Sequence, residues 1–485
     1  MFFALAFSIR LWGLNAAGNV WDEYFYYDAV RDYTRAASQG DFRTQSWKTN
    51  KEHPPLGKYI YTPAVLYNRW QHVSDANAYS SLRFISAILG SITVVLVYLI
   101  GKRNYSFKIG VMAGLIYCLL PAVISYNKIV DLDVTMVFFF TLSMYFFFEY
   151  FKNNASKPLW WSVIFASLAI ATKFNALFLF LIIYPVAAIY RWRKNKTLNP
   201  LKLPLPLKLF PLISVAILYL IWPWLWPNPW MQINQTVGHW GGKIYELFLG
   251  QVREGPLSYF VVHFLFGTPG LIIILTLVAL FVILKRRKIA DFVILFWLIM
   301  PFGISFYHLR QDHLRYILSV MPAVSLLSSI GFWIIVERFP RAKVAAKIAA
   351  GALVVYLAII VCRIQPYYLS YYNEFIGGPR NVARHNLFKL GFYGEGIKEA
   401  TDYINKTAKD GATVHYEIIP DDAPYLDRPR LSRQDNDEAD YLVFNTNAMQ
   451  DKDKKEHINT SGYKLEYSVK VGEAPFVFVY SKESK

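Results

Sequence analysis

Charge is scarce in this 485-residue chain: Asp, Glu, Lys and Arg together make up 18%, against roughly 25% in an ordinary soluble domain. That shortage argues against a plain soluble enzyme. Cysteine is scarcer still. Cys118 and Cys362 are the only two, both within apolar runs, so no disulfide framework is implied and they read as packing residues. There is no solenoid repeat, no low-complexity tract and no basic-aromatic module of the RNA-binding kind, so repeat scaffolds, disordered chains and nucleic-acid partners are set aside. Acidic residues are short in one part of the chain only. From Gly391 onward there are 13 Lys+Arg against 18 Asp+Glu, whereas the rest carries 38 against 16. A basic excess confined to loops between hydrophobic runs is the pattern of topogenic signals. The first segment, Met1 to Ala17, lacks a basic leader region and a cleavage site, so it reads as a retained helix. It is short for a span of about 20 residues, which leaves a start further upstream open.

What the chain has in abundance is apolar and aromatic surface, 55% and 17% of residues. After a polar stretch, Gly18 to Asn77, apolar runs follow at Leu82 to Ile100, Ile109 to Ser125, Val134 to Tyr150, Leu159 to Ala171, Phe174 to Tyr190, Phe210 to Trp226, Tyr259 to Leu284, Phe292 to Tyr307, Leu314 to Val336 and Val344 to Val361. With the first helix, these predict a mainly α, polytopic membrane protein of about eleven spans. One set of connecting loops holds Lys102, Arg103, Lys108, Lys152, Lys157, Arg191 to Lys208, Lys285 to Lys288, Arg338, Arg341 and Lys343; the short loops of the opposite set contain Lys128, Lys243, Arg253 and Arg310. The positive-inside rule makes the first set cytoplasmic, placing residues 18–78, Asn228 to Ser258 and the C-terminal tail on the extracytoplasmic side of the cell membrane. Trp222 to Trp230 and the tyrosines of Pro366 to Phe375 suit a membrane interface. The tail has another texture: an amphipathic helix within Gly394 to Lys409 and strands at Thr413 to Ile418, Tyr441 to Asn445 and Phe476 to Tyr480. The expected organisation is a membrane domain over residues 1–390 and a small extracytoplasmic α/β domain over 391–485.

Polar residues gather along one boundary. Trp21-Asp22-Glu23-Tyr24 follows the first helix, hemmed in by aromatic residues that include Tyr27, and about thirty residues later comes Glu52-His53-Pro54-Pro55-Leu56-Gly57-Lys58. Two carboxylates among aromatics are candidates for burial, a shifted pKa and a base. The prolines stiffen a binding loop or open a helix. Asp131 and Asp133 head the fourth span, with Asp133 also readable as an N-cap. Lys173 interrupts two apolar stretches, and Arg315 follows His308, Arg310, Asp312 and His313. Several charges meeting at one membrane face favour a polar site over snorkelling side chains. Glu52, His53 and His313 are weak candidates for a divalent metal, because their spacing forms no recognised ligand motif.

These residues carry a resemblance. Arg10-Leu11-Trp12-Gly13-Leu14 before Asp22-Glu23, then His53-Pro54-Pro55-Leu56-Gly57-Lys58, Lys128 with Asp133, Thr172-Lys173-Phe174, Arg315-Tyr316 before Met321-Pro322, and Tyr371-Tyr372-Asn373 before Gly377-Gly378-Pro379 resemble the protein O-mannosyltransferase and aminoarabinose transferase type of GT-C membrane glycosyltransferase. The resemblance covers the whole chain, and no oligosaccharyltransferase signature such as Trp-Trp-Asp-Tyr-Gly is present. Phe25 and His53 depart from the aminoarabinose pattern, so the sugar stays open. The resemblance implies an inverting transfer of a mannose-like hexose or related sugar from a polyprenyl- or dolichyl-phosphate carrier to an acceptor hydroxyl. Asp22 and Glu23 would be the catalytic pair, with Asp22 the base and Glu23 positioning it or the acceptor. His53, Lys58, Lys173 and Arg315 would meet the donor phosphate, and Glu52, Asp133 and Tyr27 would place sugar or acceptor. The acceptor is a protein, a lipid or a glycan, and no cofactor is implied beyond a possible divalent metal. The rival readings are a multi-span transporter, which predicts charges near the midplane in paired halves, and a non-catalytic lipid-binding subunit.

Overall fold

The computed structural model describes residues 1–153, 155–196, 199, 202–238, 245–306, 312–338, 343–391, 394–416, 425–426, 430–434, 438–446 and 460–483. Lys243, His308, Arg310 and Arg341 lie outside them. The chain opens with α1 (Phe2–Leu11), α2 (Trp21–Ser38), α3 (Leu56–Trp70) and α4 (Asp75–Asn104). The stretch read as a polar loop is therefore two amphipathic helices and the start of a third. Pro54 and Pro55 stand just before α3, where a missing N–H costs nothing.

Next come α5 (Phe107–Leu119) and α6 (Pro121–Tyr126), a single expected span broken where Pro121 starts a new helix; then α7 (Leu132–Asn153), α8 (Ser156–Ile170), α9 (Phe178–Asn195), α10 (Leu205–Ile221) and α11 (Pro229–Gly238). A short hairpin, β1 (Tyr245–Phe248) with β2 (Gln251–Glu254), leads to α12 (Tyr259–Gly267) and α13 (Gly270–Arg286). The last two were expected as one span but are bent by 115°. The carbonyls freed there are met by Asn373, whose amide donates to Leu265 O at 2.7 Å and Thr268 O at 2.6 Å, while its backbone N–H donates to Phe266 O at 2.8 Å. Then follow α14 (Ile289–Ile299), a 3-10 stretch through Phe306, a 3-10 turn Arg315–Val320, α15 (Met321–Glu337) and α16 (Lys343–Ile364).

Among the described residues six helices are long and apolar enough to cross a bilayer, or up to seven if the bent pair is one span. Each expected run is helical, but α1, α5 and α10 are shorter apolar helices and α8 has 15 residues, less than a hydrocarbon core of about 30 Å requires at about 1.5 Å per residue. The eleven-span count is therefore not established. Small residues let the bundle close: a Cβ on Gly331 of α15 would sit 2.0 Å from the Leu275 carbonyl of α13. The basic loops gather at one end, where Arg103 pairs with Glu149 at 3.0 Å and Arg193 donates to the Arg287 carbonyl at 2.6 Å. Cys118 is buried as expected of a packing residue, but Cys362 is exposed on the outer surface of α16.

After α17 (Gly378–Arg384), the tail opens with α18 (Ile397–Thr407) and, among the described residues, forms a five-stranded sheet from β3 (Thr413–Tyr416), β4 (Ser432–Arg433), β5 (Tyr441–Asn445), β6 (Tyr463–Val471) and β7 (Ala474–Lys482) in the order β4-β3-β5-β7-β6. β3 is parallel to β4 and β5, and β7 is antiparallel to β5 and β6. Residues 417–418 of the first expected strand lie outside the described residues, and β4 and β6 were not anticipated. The tail docks at the end of the bundle opposite the basic loops. Gly396 N–H donates to Ala17 O at 3.1 Å, Gly391 N–H donates to Ser370 Oγ at 2.8 Å, and the Ser370 hydroxyl donates to the Glu395 carboxylate at 3.0 Å.

Candidate active site

Helix periodicity decides which residues of α2 meet which neighbours. Asp22 and Tyr26 are four apart and share one side of the helix, whereas Glu23 and Tyr27 share another, about 100° round. The first pair lines a cavity of about 1020 Å³; the second is turned into the protein. Glu23 is fully buried against Arg83 of α4, accepts the Val20 N–H at 3.0 Å, which ties down the start of α2, and accepts the Val130 N–H at 2.8 Å. Tyr27 packs on Tyr79, ring centres 5.2 Å apart.

At the polar end of the cavity Arg315 is the hub. Its guanidinium contacts Asp22 and the Tyr26 hydroxyl and reaches Asp133 at 3.0 Å, Asp131 at 3.2 Å and Asp312 at 3.4 Å. Lys173 pairs with Asp133 at 2.6 Å and lies 4.8 Å from the Tyr316 ring centre. Asp131, not Asp133, caps α7: its Oδ1 accepts the Asp133 N–H at 2.7 Å. Burial, opposed by Arg315, pushes the Asp131 carboxyl up. Asp133 is buried, while Asp22 keeps 22% of its side chain exposed. Asp22 is thus held by a cation and open to a reactant.

One wall is the 50–53 turn, which contributes Asn50, Glu52 and His53. Lys58 secures that turn from beneath by donating to the carbonyls of Asn50 and of His53 (2.9 Å). Buried there, its amine is pushed down to about 7. The remaining walls are apolar, with Phe174, Phe178, Met300 and Phe302 deep, and Leu177, Leu181, Ile299 and Phe306 both lining the cavity and exposed on the outer surface of the bundle. A carboxylate, two cations and a sideways-opening greasy channel therefore share one space.

Comparison with known proteins points the same way. Residues 1–237 match the family described as dolichyl-phosphate-mannose-protein mannosyltransferase. The chain is 31% identical over 168 residues to an uncharacterized protein of Aquifex aeolicus, covering 33% of this chain and 31% of that protein, and 22% identical over 208 residues to protein O-mannosyl-transferase 1 of Mus musculus, covering 39% and 27%. It thus spans less than a third of the curated relatives it matches. Along its whole length its fold is similar to the crystal structure of ArnT from Cupriavidus metallidurans bound to undecaprenyl phosphate, with a TM-score of 0.55 at 15% identity, covering 99% of this chain and 97% of that one. The first half of the chain is thus similar to that mannosyltransferase family, and the whole chain shares its fold with ArnT.

Asp22, Glu52, His53, Lys173 and Arg315 all line this one cavity, with Asp133 directly behind the cations. Four expectations are corrected. Glu23 does not face the cavity but pairs with Arg83 and ties down the start of α2. Lys58 reaches the carbonyl groups of the 50–53 turn rather than the cavity. Tyr27 is replaced by Tyr26, because only the latter shares the side of Asp22. The metal set is not assembled: His313 lies among aromatic rings, 4.7 Å from His263 and 5.2 Å from Tyr372, apart from Glu52 and His53. Among the described residues no group of three or more His, Cys, Asp or Glu is placed to hold a metal ion. Tyr26, Asn50, Asp312 and Tyr316 also line the cavity and had not been proposed as site residues. Reading 21–38 as a helix would have found Tyr26, four residues after Asp22.

Proposed function

We propose that this protein is an inverting glycosyltransferase that moves a sugar from a polyprenyl- or dolichyl-phosphate carrier to an acceptor hydroxyl at the extracytoplasmic face of the membrane. The observation that carries this reading is the single cavity in which an accessible carboxylate, Asp22, and two cations stand at the head of an apolar channel open toward lipid. A lipid carrier suits such a channel, since each buried CH2 contributes about 0.8 kcal/mol. The head suits a leaving phosphate. Undecaprenyl phosphate is what the ArnT structure holds, and the matched family is described by a dolichyl-phosphate-mannose donor.

In this mechanism the acceptor oxygen attacks the anomeric carbon from the side opposite the phosphate, its proton passes to Asp22, and the C–O bond to the lipid phosphate breaks. Arg315 and Lys173 offset the charge that develops on that phosphate, which needs no proton to leave. A single displacement inverts the anomeric centre, unlike the two-step retaining route of glycosidases. His53 and Glu52 orient the sugar. Asp133 aims both cations, and Glu23 and Lys58 hold α2 and the 50–53 turn. No step is drawn through a metal, because the residues suggested for one do not converge. We take residues 1–390 as the catalytic membrane domain and 391–485 as an extracytoplasmic domain beside the acceptor side. A mannose-like hexose is the sugar that the family match favours, and the acceptor is a protein, lipid or glycan hydroxyl.

The test is transfer of labelled sugar from polyprenyl-phosphate donors in liposomes. Asp22→Asn should cost about 10²- to 10⁴-fold in rate, the range of a lost general base, at unchanged expression. Equal rates would remove Asp22 as the base, and absence of transfer from any lipid-phosphate donor to membrane acceptors by folded wild-type protein would overturn the reading.

A further inference from the structure

Arg315 is preceded by an unusual piece of backbone. Asp312 (φ +66°) and His313 (φ +54°) are consecutive non-glycine residues in the left-handed region, a conformation that L side chains adopt reluctantly and that persists only when its surroundings hold it. The holding group is Tyr259. Its hydroxyl accepts the His313 N–H at 3.1 Å and donates to Glu246 Oε2 at 2.6 Å. Glu246 is buried on β1, and burial pushes its carboxyl up to about 7. The Tyr259 ring is wedged against Phe248 of the same hairpin and His263, at 5.4 and 4.3 Å. His263 packs in turn on His313, and a Cβ on Gly267 would meet the His313 ring at 2.5 Å. A continuous set of contacts thus runs from the hairpin to the turn that aims the guanidinium.

We propose that Tyr259, anchored by Glu246, is a positioning residue for Arg315: it fixes the Asp312-His313 turn and so sets where the guanidinium stands relative to Asp22 and the donor phosphate. This rests on the role given to Arg315 in the transfer reaction. It also accounts for two features that the reaction leaves unused, the buried histidine pair and the β1–β2 hairpin. The partner chemistry is a hydrogen bond that needs an acceptor at residue 246 but not its charge.

The experiment measures hydrogen exchange of the 312–316 segment and donor kinetics in Tyr259→Phe, with Tyr184→Phe, whose hydroxyl serves the Leu207 carbonyl elsewhere, as a control. Exchange at 312–316 should rise about tenfold on loss of one hydrogen bond. The kcat should fall about tenfold with acceptor KM unchanged, and the loss should not add to that of Arg315→Lys, because residues acting through one another are non-additive. Glu246→Gln, which keeps an acceptor, should retain most of the rate, whereas Glu246→Leu should mimic Tyr259→Phe. Unchanged exchange, or losses that multiply with Arg315→Lys, would overturn the proposal; so would a Glu246→Gln variant as impaired as Glu246→Leu. If wild type transfers no sugar, the functional reading fails, and the exchange data alone decide whether Tyr259 fixes the turn.

Discussion

Asp22 and Glu23 are adjacent in the chain, yet their side chains occupy different environments and should fail differently when changed. Glu23→Ala leaves Arg83 buried without its carboxylate partner, a loss of about 3–5 kcal/mol, which thermal unfolding in detergent would register as a markedly lower midpoint. Asp22→Asn should leave the midpoint close to wild type while slowing transfer by about 10²- to 10⁴-fold. Glu395 gives a residue-scale pH effect. Burial pushes its carboxyl up to about 8, against the opposing pull of the Ser370 hydroxyl, the Leu369 N–H and Lys128. Between its ordinary 4.5 and about 8 the folded state holds a proton that the unfolded chain releases, so stability from this group is full below the lower value and is lost as pH rises through the upper one. Glu395→Gln has no such proton. Its unfolding midpoint should therefore drop less than that of wild type between about pH 5 and about pH 8, and parallel drops would show that Glu395 does not titrate in this way.

Elements here are positioned by what meets their broken ends. The α12–α13 break exposes carbonyls that in hydrocarbon would each be costly, and Asn373 satisfies them from the segment after α16. Asn373→Ala should cost about 1–3 kcal/mol for each carbonyl left unpaired, read as a lower unfolding midpoint together with faster exchange at Phe266 to Gly270; an unchanged midpoint would mean that the carbonyls find other donors. Element type was largely legible in the sequence: long apolar runs became helices, Pro121 restarted one, and Tyr441–Asn445 became a strand with the expected bounds. β6 also carried a readable signal, since Tyr463, Leu465, Tyr467, Val469 and Val471 alternate at the strand period. It was obscured by the intervening lysines and Glu466. α2 was missed, and α3 was anticipated only as a helix opened by Pro54 and Pro55, because their polar faces dominate composition, although their apolar positions recur at helical spacing.

At the scale of the whole molecule, the residues of the candidate site lie at the helix ends opposite Lys102, Arg103, Lys157 and the Lys285 to Lys288 run, and the tail docks at that same end. If the basic loops are cytoplasmic, catalysis and tail are extracytoplasmic. In a Cys362→Ser background, which leaves the buried Cys118, a cysteine at the exposed Ser38 should react with a membrane-impermeant maleimide in intact cells, and one at the exposed Lys157 only after permeabilisation. The reverse pattern would invert the topology. The lateral opening past Leu177 and Phe306 is likewise a property of the assembled bundle, because the turn leading into α9 and the 3-10 stretch after α14 supply its two sides.

Composition, hydropathy and the order of short motifs were enough to indicate a mainly helical membrane protein and to pick out Asp22, His53, Lys173 and Arg315, which line one cavity, because burial in a bilayer makes each charged position conspicuous against an apolar background. Tertiary structure alone decided how those charges are shared. Ion pairing depends on which faces of α2, α4, α7 and the 312–315 turn meet in space, and that is why Glu23 went to Arg83, Lys58 to carbonyl groups, and Tyr26 rather than Tyr27 to the cavity.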